Sequence, residues 1–304
     1  MEAVVGDFLA GKSIVVTGAG SGIGRAVAIA CAAEGASVVV ADYGVGIAGE
    51  DPTSEVADAV VKEIEAAGGT AVAVADTVTT MEGGARMVQA AVDNFGKVDG
   101  VVCVAGILKE RMFFNMSEEE FDSVVETHLK GHFTVMRAAA THMKAQGSGS
   151  MVAFTSGAWA IGSVAQANYS AAKGGIVSLA RSVAAGMYRY NVNCNVVAPV
   201  ARTRMSMNVP TELDMGEPED VAPMVVFLLS DKAKHVTGQV YTANGGTLAV
   251  WSQPVEVREM NKDGRWSPEE IASRFDEIGQ EKMSLIDRLE EMKKAADSGV
   301  KPNQ

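Results

Sequence analysis

The sequence predicts an α/β protein built on one doubly wound parallel sheet with helices on both faces. Short apolar runs alternate along the chain with segments of helical periodicity, which is the pattern of a parallel sheet covered on both sides. The 304 residues are 47% apolar and 21% charged, enough to bury a full core. Glycine and polar residues follow the apolar runs, where such sheets bind their ligands.

The first strand leads into a glycine-rich turn. The run Ser13-Ile-Val-Val-Thr17 is followed by Gly18-Ala-Gly20-Ser21-Gly22-Ile23-Gly24 and then by a segment with helical periodicity. Glycines permit the tight turn and let a ligand approach the backbone closely. The free N–H groups and the dipole of the helix start favour a pyrophosphate, so the strand–turn–helix order predicts a dinucleotide site.

The second strand ends at Asp42, 18 residues after Gly24. In this context a carboxylate accepts hydrogen bonds from an adenosine ribose, although an ordinary turn aspartate is the alternative. Asp42 would also repel a 2′-phosphate, and Ser21 offers no positive charge to compensate. The pattern predicts NAD rather than NADP as cofactor.

The remaining elements continue the alternation. Ser117 with Glu120, and Ser267-Pro268-Glu269-Glu270, form capping boxes that begin helices. We expect one dinucleotide-binding catalytic domain over residues 1–250 and a partly helical C-terminal extension over 251–304. About seven strands are expected, near residues 13–18, 37–42, 70–75, 99–104, 149–155, 192–198 and 238–241.

The segment Asn168-Tyr169-Ser170-Ala171-Ala172-Lys173 carries the chemistry, together with Ser156. Residues four apart share a helix face, so Tyr169 and Lys173 project side by side. A phenol has a reference pKa of about 10, and a nearby cation lowers it. Ser156, at a strand end, would hold a substrate oxygen against the phenol.

These residues together resemble the short-chain dehydrogenase/reductase family over roughly residues 8 to 250. The resemblance implies a Rossmann-type fold of about seven strands and a catalytic serine, tyrosine and lysine at Ser156, Tyr169 and Lys173. His128 stands where the family has a fourth catalytic residue, an asparagine, and we interpret it as a variant proton relay. Implied cofactor contacts are Thr17, Gly18, Gly20, Ser21, Gly22, Ile23, Gly24, Asp42, Asp76, Thr77, Ala105, Gly106, Tyr169, Lys173, Pro199 and Thr203.

A closer resemblance points to the (3R)-hydroxyacyl-CoA dehydrogenase unit of peroxisomal multifunctional enzymes and its bacterial relatives, some of which act in steroid degradation. It rests on the long segment after Asp42 and on residues 106–111, 128–132 and 201–205. Val104 and Val200 depart from the family, because they replace an amide and a glycine. A 3-hydroxyacyl-CoA is the expected substrate, and the anionic CoA would need local cations such as Lys109, Arg111, Arg202 and Arg204.

Two alternatives stay open. The protein could instead be a hydroxysteroid or other secondary-alcohol dehydrogenase, or a non-catalytic dinucleotide-binding subunit. The segment from Met205 to Gly216, which should cover the substrate, has no chemical signature. A metal site at His128 and His132 is disfavoured, because catalytic zinc usually needs three protein ligands and no third is evident.

Composition limits the partners. The net charge of −12 speaks against nucleic acid. No apolar stretch reaches the roughly 20 residues of a membrane span, and no signal peptide is expected. Cys31, Cys103 and Cys194 lie in apolar runs and suit a reducing cytoplasm.

Apolar helices near 117–145 and 164–188, with the family resemblance, predict a homo-oligomer, dimer or tetramer. In the tail, Ile271, Phe275, Ile278, Met283, Ile286, Leu289 and Met292 recur at helical spacing, as a docked face or a partner-binding arm.

Overall fold

The computed structural model describes residues 6–44, 53–206 and 215–281, and beyond them positions 283, 285–287, 289, 290 and 294. The chain divides into two units, Met1–Trp251 and Ser252–Gln304. The long segment after Asp42 and most of the Met205–Gly216 segment lie outside the described residues, as does Met292.

The first unit is built on one sheet, to which the described residues contribute eight strands in the order β3-β2-β1-β4-β5-β6-β7-β8. Strands β1 to β7 are parallel, and β8 pairs antiparallel with β7. The strand order reverses between β1 and β4, which opens a crevice at their carboxyl ends. The strands are β1 Ser13–Thr17, β2 Ser37–Ala41, β3 Thr70–Val74, β4 Gly100–Cys103, β5 Gly149–Phe154, β6 Val192–Pro199, β7 Val240–Asn244 and β8 Thr247–Val250.

Helices cover both faces of the sheet. Their bounds are α1 Gly22–Ala33, α2 Glu55–Ala66, α3 Met81–Phe95, α4 Glu118–Val125, α5 Gly131–Gln146, α6 Ala158–Ile161, α7 Ala167–Met187, α8 Pro218–Leu229 and, in the second unit, α9 Pro268–Arg274. Between α4 and α5 the chain makes one turn of π-helix, Glu126–Lys130. Short 3₁₀ turns span Phe113–Asn115, Tyr188–Tyr190, Arg204–Ser206, Asp231–Ala233 and Phe275–Glu277.

Successive strand residues enter opposite cores, because side chains alternate across a sheet. In β1, Ile14 and Val16 join the cluster that α1, α2 and α8 cover. Val15 joins the cluster that α3, α5 and α7 cover. All five residues of β1 are buried, as expected for a strand covered on both faces.

The predicted doubly wound α/β fold is confirmed, and each predicted strand is present within about three residues of its expected ends. Strand β8 was not predicted, although the apolar run Leu248-Ala249-Val250 follows β7 after Gly245-Gly246, a turn that favours a hairpin. Both capping boxes are present, at Ser117 with Glu120 and at Ser267 with Glu270. The expected long helix after Ser117 is interrupted by the π-turn.

The second unit has no buried residue among its described positions. Its described residues form ion pairs such as Lys262 with Glu270 and Arg274 with Glu277, and Trp266 lies under both cations. Ile271 and Phe275 of the predicted apolar stripe are exposed in this single chain.

Candidate active site

A cavity of about 790 Å³ opens at the carboxyl ends of the strands. It is the place where a doubly wound sheet binds its ligand. Most of the candidate residues line it, although they come from widely separated segments of the chain. They fall into eight segments and are Gly18, Ser21, Gly22, Ile23, Gly24, Asp42, Asp76, Thr77, Ala105, Gly106, His128, Ser156, Tyr169, Lys173, Pro199 and Thr203.

The glycine loop has no room for side chains at two positions. Gly18 has φ +66°, and a Cβ on it would lie 2.7 Å from the Cα of Ala105. A Cβ on Gly24 would lie 2.0 Å from the carbonyl oxygen of Gly18. Since backbone atoms cannot yield as a flexible side chain can, glycine is required at both. The free start of α1 therefore meets the cavity as bare backbone, which suits a pyrophosphate.

Asp42 is fixed at the cavity wall by two backbone amides. Its Oδ2 accepts from the Gly20 N–H at 2.7 Å and its Oδ1 from the Gly44 N–H at 2.6 Å. Each carboxylate oxygen keeps a second lone pair for a ribose hydroxyl. Asp76, also at the wall, is paired with Arg86, and that hydrogen bond holds the pKa of its carboxyl below its usual value.

Two predicted cofactor residues, Thr17 and Gly20, are not among the cavity-lining residues. The Thr17 hydroxyl accepts from the N–H groups of Val104 and Ala105, at 3.1 and 3.3 Å. It thus ties β1 to the end of β4, where Val104 replaces the family's amide. Gly20 acts on Asp42 through its backbone N–H. Both residues shape the site from behind its surface.

Ser156, Tyr169 and Lys173 meet on one side of the cavity. The ammonium of Lys173 lies 5.4 Å from the centre of the Tyr169 ring and donates to the carbonyl oxygen of Phe154 at 2.9 Å. Ser156 hydrogen-bonds the Tyr169 hydroxyl. Burial lowers the pKa of Lys173 to about 7.

The Tyr169 phenol departs from the sequence-based expectation in one respect. Burial raises its pKa above the ordinary value, and the hydrogen bond to Ser156 only partly offsets that rise. The expected lowering by Lys173 does not appear, because Lys173 is itself buried and its charged form is disfavoured. The pKa of the Tyr169 phenol therefore depends on how much positive charge Lys173 keeps.

His128 is buried and held by backbone atoms. Its Nε2 lies 2.8 Å from the carbonyl oxygen and 3.2 Å from the nitrogen of Ile107, and its ring meets Tyr169 edge-on at 5.3 Å. A Cβ on Gly106 would lie 2.2 Å from this ring, which explains the glycine there. Burial holds the pKa of His128 well below its ordinary value. The expected relay could therefore not pass through a stable imidazolium at neutral pH.

Asn168, the neighbour of Tyr169 in the motif, is a functional residue that the sequence pattern did not reveal. Its side-chain amide donates to the carbonyl oxygens of Lys109 and Glu120, at 2.9 and 2.7 Å, and its Oδ1 accepts from the Tyr169 N–H at 2.8 Å. The residue is fully buried. It fixes the start of α7 against the loop after β4 and against α4. Only its adjacency to Tyr169 could have signalled this.

The cations proposed for a CoA phosphate have other partners. Lys109 pairs with Glu119, and Arg111 pairs with Glu120. The Nη2 of Arg204 donates to the Ser21 hydroxyl at 2.9 Å, across the cavity mouth on the glycine loop. Arg204 therefore brings to the glycine loop the positive charge that Ser21 itself lacks.

Within the described ranges, no group of three or more His, Cys, Asp or Glu side chains could hold a metal ion. In the same part of the chain, none of the helices is both long and apolar enough to cross a bilayer. All three cysteines are free and buried, and burial raises the pKa of Cys31 and Cys103 to about 12.

Comparison with known proteins identifies the family to which this arrangement belongs. The short chain dehydrogenase family profile matches residues 12–214. A peroxisomal hydratase-dehydrogenase-epimerase of Saccharomyces cerevisiae is 40% identical over 272 residues, 88% of this chain but only 30% of that longer protein. The hydroxyacyl-CoA dehydrogenase ChsB1 of Mycobacterium tuberculosis is 39% identical, over 87% of each chain. A crystal structure of a short chain dehydrogenase from Mycobacterium avium superimposes with a TM-score of 0.81 and 46% identity, covering 89% of this chain and 95% of that one.

Proposed function

The chain belongs to the short chain dehydrogenase family, and from that premise we propose that it is an NAD-dependent dehydrogenase of 3-hydroxyacyl-CoA substrates. Family membership makes it an oxidoreductase that acts on CH–OH groups and uses a nicotinamide dinucleotide. The proposal assigns catalysis to residues 1–250 and treats 251–304 as an extension. Its main support is that Ser156, Tyr169 and Lys173 share one cavity with the glycine loop.

The residues present fit a nicotinamide dinucleotide. Bare backbone at Gly18 and Gly24 leaves the start of α1 open for the pyrophosphate, and Asp42 faces the place of the adenosine ribose. Thr203, Pro199 and Ala105 line the cavity beyond the loop, where the nicotinamide end would lie. When bound, the nicotinamide accepts or returns a hydride at its C4.

The chain's own residues move the proton. Ser156 holds the substrate oxygen, and Tyr169 removes the hydroxyl proton in the oxidative direction. Lys173 is assigned the role of favouring the phenolate while it is protonated, against the burial that raises the phenol pKa. His128 supports the ring of Tyr169 from the side, and we retain its relay role only as exchange through a neutral ring.

NAD is proposed over NADP because Asp42 would face the 2′-phosphate. Two like charges about 4 Å apart near a protein surface repel each other by roughly 4 kcal/mol. Arg204 at Ser21 opposes this preference in part, because it lies on the same loop. The carboxylate, fixed by two amides, is the more rigid of the two charges.

The acyl-CoA substrate rests on the names of the relatives, two of which include hydroxyacyl-CoA or hydratase-dehydrogenase functions. One structural observation favours a second candidate, a hydroxysteroid or other uncharged secondary alcohol. Lys109 and Arg111 are paired with carboxylates, so a CoA phosphate would have to displace Glu119 or Glu120 to bind them. An uncharged substrate would leave these ion pairs intact.

The test is a scan of NAD reduction across hydroxyacyl-CoAs, hydroxysteroids and simple secondary alcohols, followed by the absorbance of the reduced cofactor. Turnover of acyl-CoAs, with a KM that rises with salt, supports the proposal. Inert acyl-CoAs beside an active steroid or small alcohol would leave only the dehydrogenase assignment. Better kcat/KM with NADP would overturn the cofactor choice.

Assembly and compartment complete the proposal. We expect a homodimer or homotetramer, so light scattering should give a multiple of the 31.7 kDa chain mass. A monomer mass at micromolar concentration would contradict this. A reducing compartment such as the cytoplasm is supported by three free, buried thiols.

A further inference from the structure

His132 belongs to the histidine pair of the sequence, and the catalytic proposal assigns it no role. It lies in the first turn of α5 and is 1% exposed. Its Nε2 lies 3.2 Å from the backbone nitrogen of Phe154, and its Nδ1 lies 2.6 Å from the carbonyl oxygen of His128. Both ring nitrogens therefore meet backbone groups of other elements.

These two partners determine which nitrogen carries the proton. The Phe154 N–H can only donate, so the Nε2 of His132 must accept. The carbonyl of His128 can only accept, so the Nδ1 must donate. The ring is consequently a neutral imidazole in one tautomer, used as a spacer with a donor at one end and an acceptor at the other.

The residue that His132 holds also binds Lys173. Phe154 is the last residue of β5, and its own carbonyl oxygen accepts from the Lys173 ammonium at 2.9 Å. The side-chain hydroxyl of the next residue, Thr155, donates to the Lys173 carbonyl at 2.9 Å. The end of β5 therefore contacts Lys173 both at its backbone and at its ammonium.

At its other end, His132 reaches the π-turn that carries His128. The His128 ring contacts Tyr169, and the Lys173 ammonium lies 5.4 Å from the same Tyr169 ring. His132 therefore spans the two backbone segments that flank the phenol. A shift of either segment would change the distance between the ammonium and Tyr169.

We propose that His132 is a positioning residue, which anchors the end of β5 to the π-turn and thereby sets where the Lys173 ammonium lies beside Tyr169. The inference rests on the proposed catalytic roles of Lys173 and Tyr169. A packing role alone would need only the volume of the ring. Positioning needs the acceptor and the donor together.

Two variants separate these roles. His132→Gln keeps an acceptor oxygen for Phe154 and a donor N–H for His128, whereas His132→Leu keeps similar volume and has neither. We expect Leu to lower kcat at least tenfold, with KM for NAD changed less than threefold. We expect it also to shift the acid limb of the kcat/KM–pH profile by at least half a pH unit. Gln should restore both within about threefold.

Three readouts do not need turnover. The ring ¹⁵N shifts of His132 should show a protonated Nδ1 and a bare Nε2. Hydrogen exchange at the Phe154 amide should be at least tenfold faster in the Leu variant than in the Gln variant. The pKa of Lys173, followed by its ¹³Cε shift and assigned with Lys173→Met, should move by at least half a unit with Leu only.

The outcomes are distinguishable. A folded Leu variant with wild-type Lys173 titration and Phe154 exchange overturns the proposal, and so does a protonated Nε2 in the wild type. If Leu does not fold, His132→Asn, which is polar but too short to reach both partners, takes its place with the same expectations. A wild-type protein that reduces no NAD while its three turnover-free readouts behave as expected refutes the proposed function and leaves the anchoring intact.

Discussion

The two sides of the cavity are built from different materials. On the cofactor side, the contacts come from backbone N–H groups and from glycines with no room for a side chain, supported by partly exposed carboxylates such as Asp42. On the catalytic side, the half-buried Ser156 and Tyr169 are supported by side chains that are almost wholly buried: Asn168, Lys173, His128 and His132 are each at most 3% exposed.

This difference decides how each side responds to substitution. Backbone donors cannot be removed by changing a side chain, so single substitutions on the cofactor side should alter affinity or preference by degree. The glycines are the exception, because any side chain there meets main-chain atoms. On the catalytic side the buried side chains of Asn168 and His132 each satisfy two or more backbone partners, and removing one leaves polar groups without a partner in a low-dielectric interior.

The largest effect is expected for Tyr169→Phe. It removes the proton acceptor and the hydrogen bond to Ser156 and little else. Loss of general base catalysis costs about a hundred- to ten-thousand-fold, so kcat should fall by that factor while NAD still binds. Steady-state kinetics with calorimetric NAD titration checks both. More than a tenth of wild-type activity would show that Tyr169 is not the base.

Gly24→Ala should break the cofactor side through its backbone. The added Cβ would lie 2.0 Å from the Gly18 carbonyl oxygen, so α1 or the loop has to move. Overpacking of this kind costs roughly 1–3 kcal/mol, and we expect NAD binding to be lost as well. Gly157→Ala is the matched control, because a Cβ there meets nothing within 4 Å and φ is −49°. Equal melting temperatures for the two variants would contradict the prediction.

Acid should act on the catalytic side first. Burial lowers the pKa of His132 to about 3 and that of His128 well below its ordinary value, with Lys173 adding to both shifts. The unfolded chain then binds more protons than the folded one between about pH 6.5 and 3, so stability falls as pH drops through this window. The carboxylate of Asp76, whose pKa is lowered, loses its contribution only below its ordinary value near 3.8.

The variant His132→Gln isolates this contribution. Between pH 7 and 5 a buried histidine of this kind contributes a loss of roughly 2 kcal/mol, so the variant should lose that much less than the wild type. Urea unfolding at the two pH values measures it. Parallel losses in both proteins would show that His132 is not the titrating group.

Cofactor preference should change with Asp42→Ala combined with Tyr43→Arg. The pair removes the charge that faces a 2′-phosphate and adds one that attracts it. We expect the ratio of kcat/KM for NAD over NADP to fall by about tenfold or more, equivalent to about 1.4 kcal/mol. Asp42→Ala alone is the control for charge removal. An unchanged ratio would mean that Asp42 does not face the ribose.

The smallest effect is expected for Arg204→Ala. Its hydrogen bond to Ser21 is exposed, and exposed polar pairs contribute at most about 1 kcal/mol. NAD should bind about two- to fivefold more weakly, because the glycine loop loses the positive charge that Arg204 brings to Ser21 from a distant part of the chain. The matched change Arg202→Ala, outside the cavity lining, should leave NAD binding as it is. A thioester KM that rises while NAD binding is unchanged would return Arg204 to the CoA interpretation.

Local sequence patterns were enough to predict the secondary-structure elements that carry the candidate site. The strand–turn–helix at Gly18–Gly24, the capping boxes and the Tyr169–Lys173 spacing each lie within about a dozen residues, where periodicity and backbone sterics decide the structure. Strand β8 was missed, although its apolar residues and the preceding Gly245-Gly246 turn form a local hairpin pattern. Thr17 and Gly20 were expected to contact the cofactor directly. They instead hydrogen-bond Val104 and Asp42 beside the cavity, because a spacing does not tell which side of a loop a group faces.

The sequence by itself determined the parallel α/β sheet, the glycine turn at its first strand end and the candidate residues for the dehydrogenase chemistry. Tertiary structure alone decided their partners. His132 meets Phe154 across 22 residues, Asn168 meets Lys109 across 59, and Arg204 meets Ser21 across 183. The physical reason is that propensity and periodicity act over a few turns of chain, whereas burial and hydrogen bonding act between whichever groups packing brings together. The shifted pKa values of Tyr169 and Lys173 follow from that same burial.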